Sequence, residues 1–211
     1  MKSLILALGV LVMTGCNVSG EENVEIAPYS VLREASENNI EVRNYDSMIL
    51  VSAPMGSGEN GAFRKLFRYI SGDNVDAKDI EMTAPVFLDA QQIDKSGVEI
   101  PMTAPVFMDN SDQTAPMMSF VMPADFTRDN TPVPIDGDLV VQEVSDYKVA
   151  VVRFSGRLSD SNIEKHRNLL EQWIVDNNYV VVGPVKTAGY NAPFTLPSAR
   201  RNEVLIPVEK K

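Results

Sequence analysis

An eleven-residue segment occurs twice in this chain: Asp79 to Asp89 (DIEMTAPVFLD) returns twenty residues later as Glu99 to Asp109 (EIPMTAPVFMD). In each copy Ile, Met, Ala, Val and Leu or Met fall on alternate positions, as a half-buried strand requires. Pro85 and Pro105 interrupt both copies at the same point. Proline cannot donate to a ladder, so these strands suit a bulge or a bend at a barrel rim better than the middle of a sheet. Ala90 to Val98 is long enough to close the copies as a hairpin. Two copies are too few for a solenoid.

The rest of the pattern is consistent with that frame. Ile40–Tyr45 alternates apolar and polar residues, and Met48–Ala53 reads as a buried strand. Gly61–Ile70 (GAFRKLFRYI) switches to a helical period. Phe63, Leu66, Phe67 and Ile70 form one face, Arg64, Lys65 and Arg68 the other, and Ser71-Gly72 is the stop. Strands are expected near 79–88, 99–108, 117–122, 139–144, 147–154, 179–188 and 202–208. A second helix is expected from about Ser161 to Asn177, capped by Asp160 or Ser161, with Ile163, Leu170, Trp173 and Ile174 as its apolar stripe. Each half reads strand, strand, helix, strand, strand. This is an α+β chain with an internally duplicated plan. No glycine-rich phosphate loop supports a doubly wound nucleotide fold.

The N-terminus reads as an export signal. Lys2 precedes the uncharged apolar run Leu4–Val12, which is too short to span a bilayer. Met13-Thr14-Gly15 then leads to Cys16, the only cysteine in the chain. Leu11–Cys16 resembles the bacterial lipobox, in which cleavage before the cysteine is followed by acylation of its thiol. The resemblance implies a signal peptide over residues 1–15 and a lipid on Cys16. Residues 16–27 then form an acidic, flexible tether, followed by one folded domain over 28–211. It also implies a place in the bacterial cell envelope, at the outer membrane facing the periplasm. A lone cysteine permits no intrachain disulfide.

Nineteen basic against 29 acidic residues leave no basic footprint for nucleic acid. No Cys/His pair, Gly-x-Ser-x-Gly elbow or zinc-ligand cluster is present. Paired carboxylates among Glu41, Glu81, Glu99 and Glu203 are the residual catalytic option. Solvated strand faces explain them better, and Glu203 beside Arg200-Arg201 reads as an ion-pair partner. The chain is therefore expected to be no enzyme. Nothing specifies an oligomer.

Seven segments in order resemble the SOUL heme-binding family. They are Ala62–Gly72, the two MTAPVF strands, Met118–Pro123, Val149–Gly156, Tyr190–Pro197 and Arg200–Val204. The resemblance implies a distorted antiparallel β-barrel with two flanking helices, built from two pseudo-symmetric halves. It also implies heme or another tetrapyrrole as ligand, held without a covalent bond in a shallow cleft beside the first helix. By the resemblance, Phe63, Phe67 and Arg68 lie at that cleft and the loop holding Phe194 and Thr195 closes over it. The family carries a basic residue where Thr195 or a neighbour stands here.

The residues themselves support two readings. A macrocycle needs flat apolar contact and its propionates need cations. Phe63 and Phe67, with Arg64 and Arg68, offer both. Equally, Phe63, Leu66, Phe67 and Ile70 could be the core face of an amphipathic helix. The lone histidine, His166, borders the apolar stripe of the second helix and reads as a helix-packing residue rather than a heme ligand. Met82, Met102, Met118 and Met122 read as core fillers. The expectation is hydrophobic capture of heme with weak or absent axial ligation by the protein. The alternative is a non-catalytic scaffold or protein-interaction module at the membrane, with no heme role.

Overall fold

The computed structural model describes residues 25–35, 38–76, 97–109, 116–191 and 194–211. In chain order the elements are β1 (Glu25–Ile26), β2 (Ser30–Ala35), β3 (Ile40–Pro54), α1 (Glu59–Ile70), β4 (Asn74–Val75), β5 (Thr103–Ala104) and β6 (Val106–Asp109). They continue as β7 (Met117–Val121), β8 (Val133–Pro134), β9 (Val140–Phe154), α2 (Asp160–Asp176), β10 (Tyr179–Val181), β11 (Lys186–Gly189) and β12 (Asn202–Lys210).

Six strands close a barrel in the order β3, β7, β6, β11, β12, β9 and back to β3, every pair antiparallel. β2 lines the first half of β3, and β10 the end of β12. The two long strands pair with each other from Ile40↔Val152 to Ser52↔Val140, and each leads into a helix. This is the expected α+β barrel with two flanking helices.

A change of phase halfway along β3 and β9 lets one strand serve both helices. On β3, Ile40 and Val42 pack outward under α2, whereas Ile49, Val51 and Ala53 pack outward under α1. Tyr45 and Met48, three positions apart, both point into the barrel. β9 shifts at the same rung: Tyr147, Val149 and Val151 face inward on one side of it, Val144 on the other. Asp146, at the shift, takes φ of 51°. The two strand pairs expected at 40–45 with 48–53, and at 139–144 with 147–154, are therefore single fifteen-residue strands.

Other boundaries move for identifiable reasons. Residues 25–27 are not part of a tether: β1 pairs in parallel with β5, and Ala27 is buried with its N–H on the Ala104 carbonyl. The second repeat copy forms strand only from Thr103 and is broken at Pro105, where no N–H is available. The first copy and residues 90–96 of the joining segment lie outside the described residues. The strand expected at 179–188 is interrupted around Gly183, whose Cα lies so close to Pro207 that a Cβ would meet it at 3.0 Å. Ser159, not Asp160 or Ser161, stands at the N-cap of α2, and its side chain makes no capping bond.

α1 buries Ala62, Leu66, Tyr69 and Ile70 against β3 and β7. Leu66 is fully enclosed, which stabilises the fold by about 2–3 kcal/mol. The helix stops where the sequence indicates. Gly72, at φ of 101°, donates to the Tyr69 carbonyl and Asp73 to that of Arg68, the paired bonds of a Schellman end. Asn74 then ties this end to the incoming chain. Its amide donates to the carbonyls of Tyr69 and Val98, and its carbonyl accepts the Val98 N–H, all at 2.7–2.9 Å.

Candidate ligand-binding site

The apolar face of α1 is divided between two environments. Leu66 and Ile70 belong to the core. Phe63 and Phe67 lie on the shoulder of the helix, 37% and 48% exposed. Their rings stack on each other, centroids 6.1 Å apart and planes 15° from parallel. Phe63 also meets Phe120 of β7 edge-on at 5.5 Å, which holds the pair against the barrel wall. Two aromatic faces left in water on a helix that has its core contacts elsewhere are a surface ready to take a flat apolar partner.

These rings line a surface hollow of about 420 Å³ with Ser57, Gly61, Arg64, Lys65 and Arg68. Four of the residues singled out in the sequence thus meet in one place: Phe63, Arg64, Phe67 and Arg68. The other two do not line it among the described residues. Phe194 is 91% exposed. The loop carrying it is held by Arg200, which donates to the Thr195 carbonyl at 2.8 Å, and by Gly156, which donates to that of Pro197. The route between loop and helix runs across three strands. Gly189, where the loop departs, pairs with Val106, Val106 pairs with Phe120, and Phe120 touches Phe63.

The cations of the hollow are not equally available. Lys65 bonds Asp138 and lies 3.6 Å from Asp136, and Arg68 lies 3.4 Å from the same Asp136 oxygen. The bond to Asp138 is the main cause holding the Lys65 ammonium above its ordinary pKa. Arg64 has no ion pair among the described residues. Neither aspartate was singled out in the sequence. The run Asp136-Gly137-Asp138 has the composition of a turn, and nothing local in the sequence ties it to a helix some seventy residues earlier.

His166 sits at the other helix. Its ring stacks on Phe154 at 4.1 Å and 11°, and Nδ1 lies 2.7 Å from the Asn162 carbonyl. These are the contacts of a packing residue, well away from α1. Met118 and Met122 are core residues, Met102 is 40% exposed, and Met82 lies outside the described residues. Cys16 also lies outside them.

The barrel interior is closed by side chains at one end and hollow toward the other. At one end Arg43 meets Glu203 through two contacts, and Arg201 and Tyr190 bond the same carboxylate. Burial opposes ionisation of Glu203, but hydrogen bonds and charge from Arg43, with Arg201 and Tyr190, hold it below the usual carboxylate range. Burial, reinforced by Glu203, pushes Tyr45 up to about 12. Glu203 is therefore an ion-pair partner, as its neighbours in sequence indicated. Its principal counterpart, Arg43, was not foreseen. Toward the other end a second hollow of about 350 Å³ opens between Met48, Leu50, Phe107 and Tyr147.

In overall shape the chain is similar to the crystal structure of the EcmrR C-terminal domain, with a TM-score of 0.54 at 15% identity over 87% of this chain and 99% of that one. It is also similar to the crystal structure of a hydrolase from Listeria innocua, with a TM-score of 0.51 at 12% identity over 83% of this chain and 94% of that one. At such identities the likeness concerns the fold alone. No curated protein sequence matches the chain. The family model described as SOUL heme-binding protein matches residues 24–96 and 90–207, nearly the whole of the barrel and both helices, and the chain belongs to that family.

Proposed function

We propose that this protein captures heme, or another tetrapyrrole, on the outer face of α1, without covalent attachment and without a histidine ligand to the metal. The observation that carries the reading is the exposed, nearly parallel Phe63–Phe67 pair beside Arg64, Lys65 and Arg68. The aromatic pair offers the macrocycle a flat apolar floor, and the cations stand where propionates would reach. Phe194 and Thr195, across the three-strand span, complete the site by closing their loop over the ligand. The protein acts by binding rather than catalysis, and its acidic surface suits a small molecule better than nucleic acid. A lipid on Cys16 tethers the barrel in the bacterial envelope, at the outer membrane facing the periplasm.

Titration with hemin, followed at the Soret band and by quenching of Trp173, tests the binding. Saturable binding that Phe67→Ala with Arg68→Ala weakens by tenfold or more is the expected result. Affinity no tighter than that of an unrelated acidic protein would remove the reading. Incorporation of labelled palmitate, lost in Cys16→Ala, tests the anchor.

A further inference from the structure

The turn 136–138 is a built feature rather than a passing surface loop. Leu139, next to it, is buried in the core beneath α1. Leu139 donates to the Asp136 carbonyl, and Asp138 donates its N–H to Asp136 Oδ1 at 3.0 Å. The approach to the turn is fixed as well. Tyr69 of α1 bonds the Pro132 carbonyl at 2.7 Å, and β8 pairs with β4 immediately after the helix. With Oδ1 engaged in the turn, Oδ2 of Asp136 points at Lys65 and Arg68, and Asp138 bonds Lys65. Of three cations lining the hollow, two thus meet Asp136, whose carboxylate the turn holds, Lys65 also bonds the exposed Asp138, and the five groups together leave a net charge of about one positive.

We propose that Asp136 and Asp138 set the charge selectivity of the α1 site, so that it accepts tetrapyrroles with few carboxylates and discriminates against those with many. The inference rests on the tetrapyrrole reading of the same hollow. A ligand carboxylate arriving at Lys65 or Arg68 has to displace an aspartate already there, or share the cation with it. Arg64 is the cation with no such competitor among the described residues. Each further carboxylate on the macrocycle therefore gains little attraction and adds repulsion from Asp136 and Asp138. The rigid turn matters because a mobile carboxylate would swing into solvent and leave the cation to the ligand.

The test compares protoporphyrin IX (two carboxylates), coproporphyrin (four) and protoporphyrin dimethyl ester (none) on the wild-type chain and on Asp136→Asn with Asp138→Asn. Asparagine at 136 keeps the Oδ1 that accepts the Asp138 N–H, so the turn survives the change; circular dichroism of the variant checks this. The expected result is a gain of about tenfold for coproporphyrin, about threefold for protoporphyrin and less than about twofold for the ester, on the scale of exposed ion pairs. The gains shrink as salt is raised. Equal changes for all three ligands, or none, with binding still dependent on Phe63 and Phe67, would overturn the selectivity and leave the site standing. Failure of every porphyrin to bind, or binding indifferent to Phe63→Ala with Phe67→Ala, removes the tetrapyrrole reading and the selectivity with it.

Discussion

The guanidinium of Arg43 on β3 grips Glu203 on β12 inside the barrel, at 2.8 and 3.1 Å, although 160 residues separate the two in sequence. The same arginine bonds Glu41 at 2.7 Å and lies 4.3 Å over the ring of Tyr29. Removing Arg43 leaves the enclosed Glu203 carboxylate to Arg201 and Tyr190 alone, so Arg43→Met is expected to lower stability by about 3 kcal/mol, the low end for a broken buried pair. Urea unfolding at neutral pH measures this.

The pair also shapes the acid limb of stability. Glu203 has a folded pKa below the usual value near 4.5, so its contribution is complete above that value. As pH falls through the lower folded value, the carboxylate takes a proton and the contribution is lost. Glu203→Gln should therefore begin less stable at pH 7 and lose less between pH 5 and pH 3 than the wild type. Parallel acid limbs for the two proteins would show that Glu203 does not drive the decline.

Neighbouring residues on α1 should respond in opposite ways. Leu66→Ala opens a cavity in a fully enclosed position and is expected to cost about 2–5 kcal/mol. Phe67→Ala removes a half-exposed ring and should cost less than about 1 kcal/mol, while hemin affinity falls. Thermal unfolding and a hemin titration on both variants separate the two faces of one helix.

His166→Ala should leave the Soret position of a hemin complex unchanged. It should lower stability by about 1 kcal/mol through loss of the stack on Phe154. A shifted Soret band would place the imidazole on the iron.

Asn74→Ala removes three buried or half-buried hydrogen bonds and leaves the carbonyls of Tyr69 and Val98 and the Val98 N–H without this partner. The expected loss is about 2–4 kcal/mol. Faster amide exchange at Gly72 and Asp73, which close the helix end, is the local signature.

Much of the fold was legible because local period and burial agree. The helical run ending at Ser71-Gly72, the apolar strand Met117–Val121 and the apolar run Val204–Val208 within β12 all form as their patterns require. The long strands were divided in the sequence because their apolar phase slips. Ile40 and Val42 face one helix while Ile49 and Val51 face another, so no single alternation spans residues 40–54. Arg43 was misleading for a related reason. Glu41, Arg43 and Tyr45 look like the wet side of a strand, yet both sides of β3 are covered and Arg43 is 2% exposed. Its partner comes from the last strand, which no window along the chain can reveal. The same limit hid Asp136 and Asp138, which meet α1 only after the turn is folded against it. The exposed Phe63–Phe67 pair was half legible: the period placed it on the apolar side, and only packing shows that the core stops at Leu66 and Ile70.

The plug formed by Arg43, Glu203, Arg201 and Tyr190 has a consequence for traffic. A tube stoppered at one end offers no passage from end to end, and on the reading proposed above the macrocycle rides on the outer wall. Cargo carried there remains visible from solvent. A receiving protein could lift it off by direct contact, with no need for the barrel to open, and the exchange rate would be set at the helix face rather than by the stability of the fold.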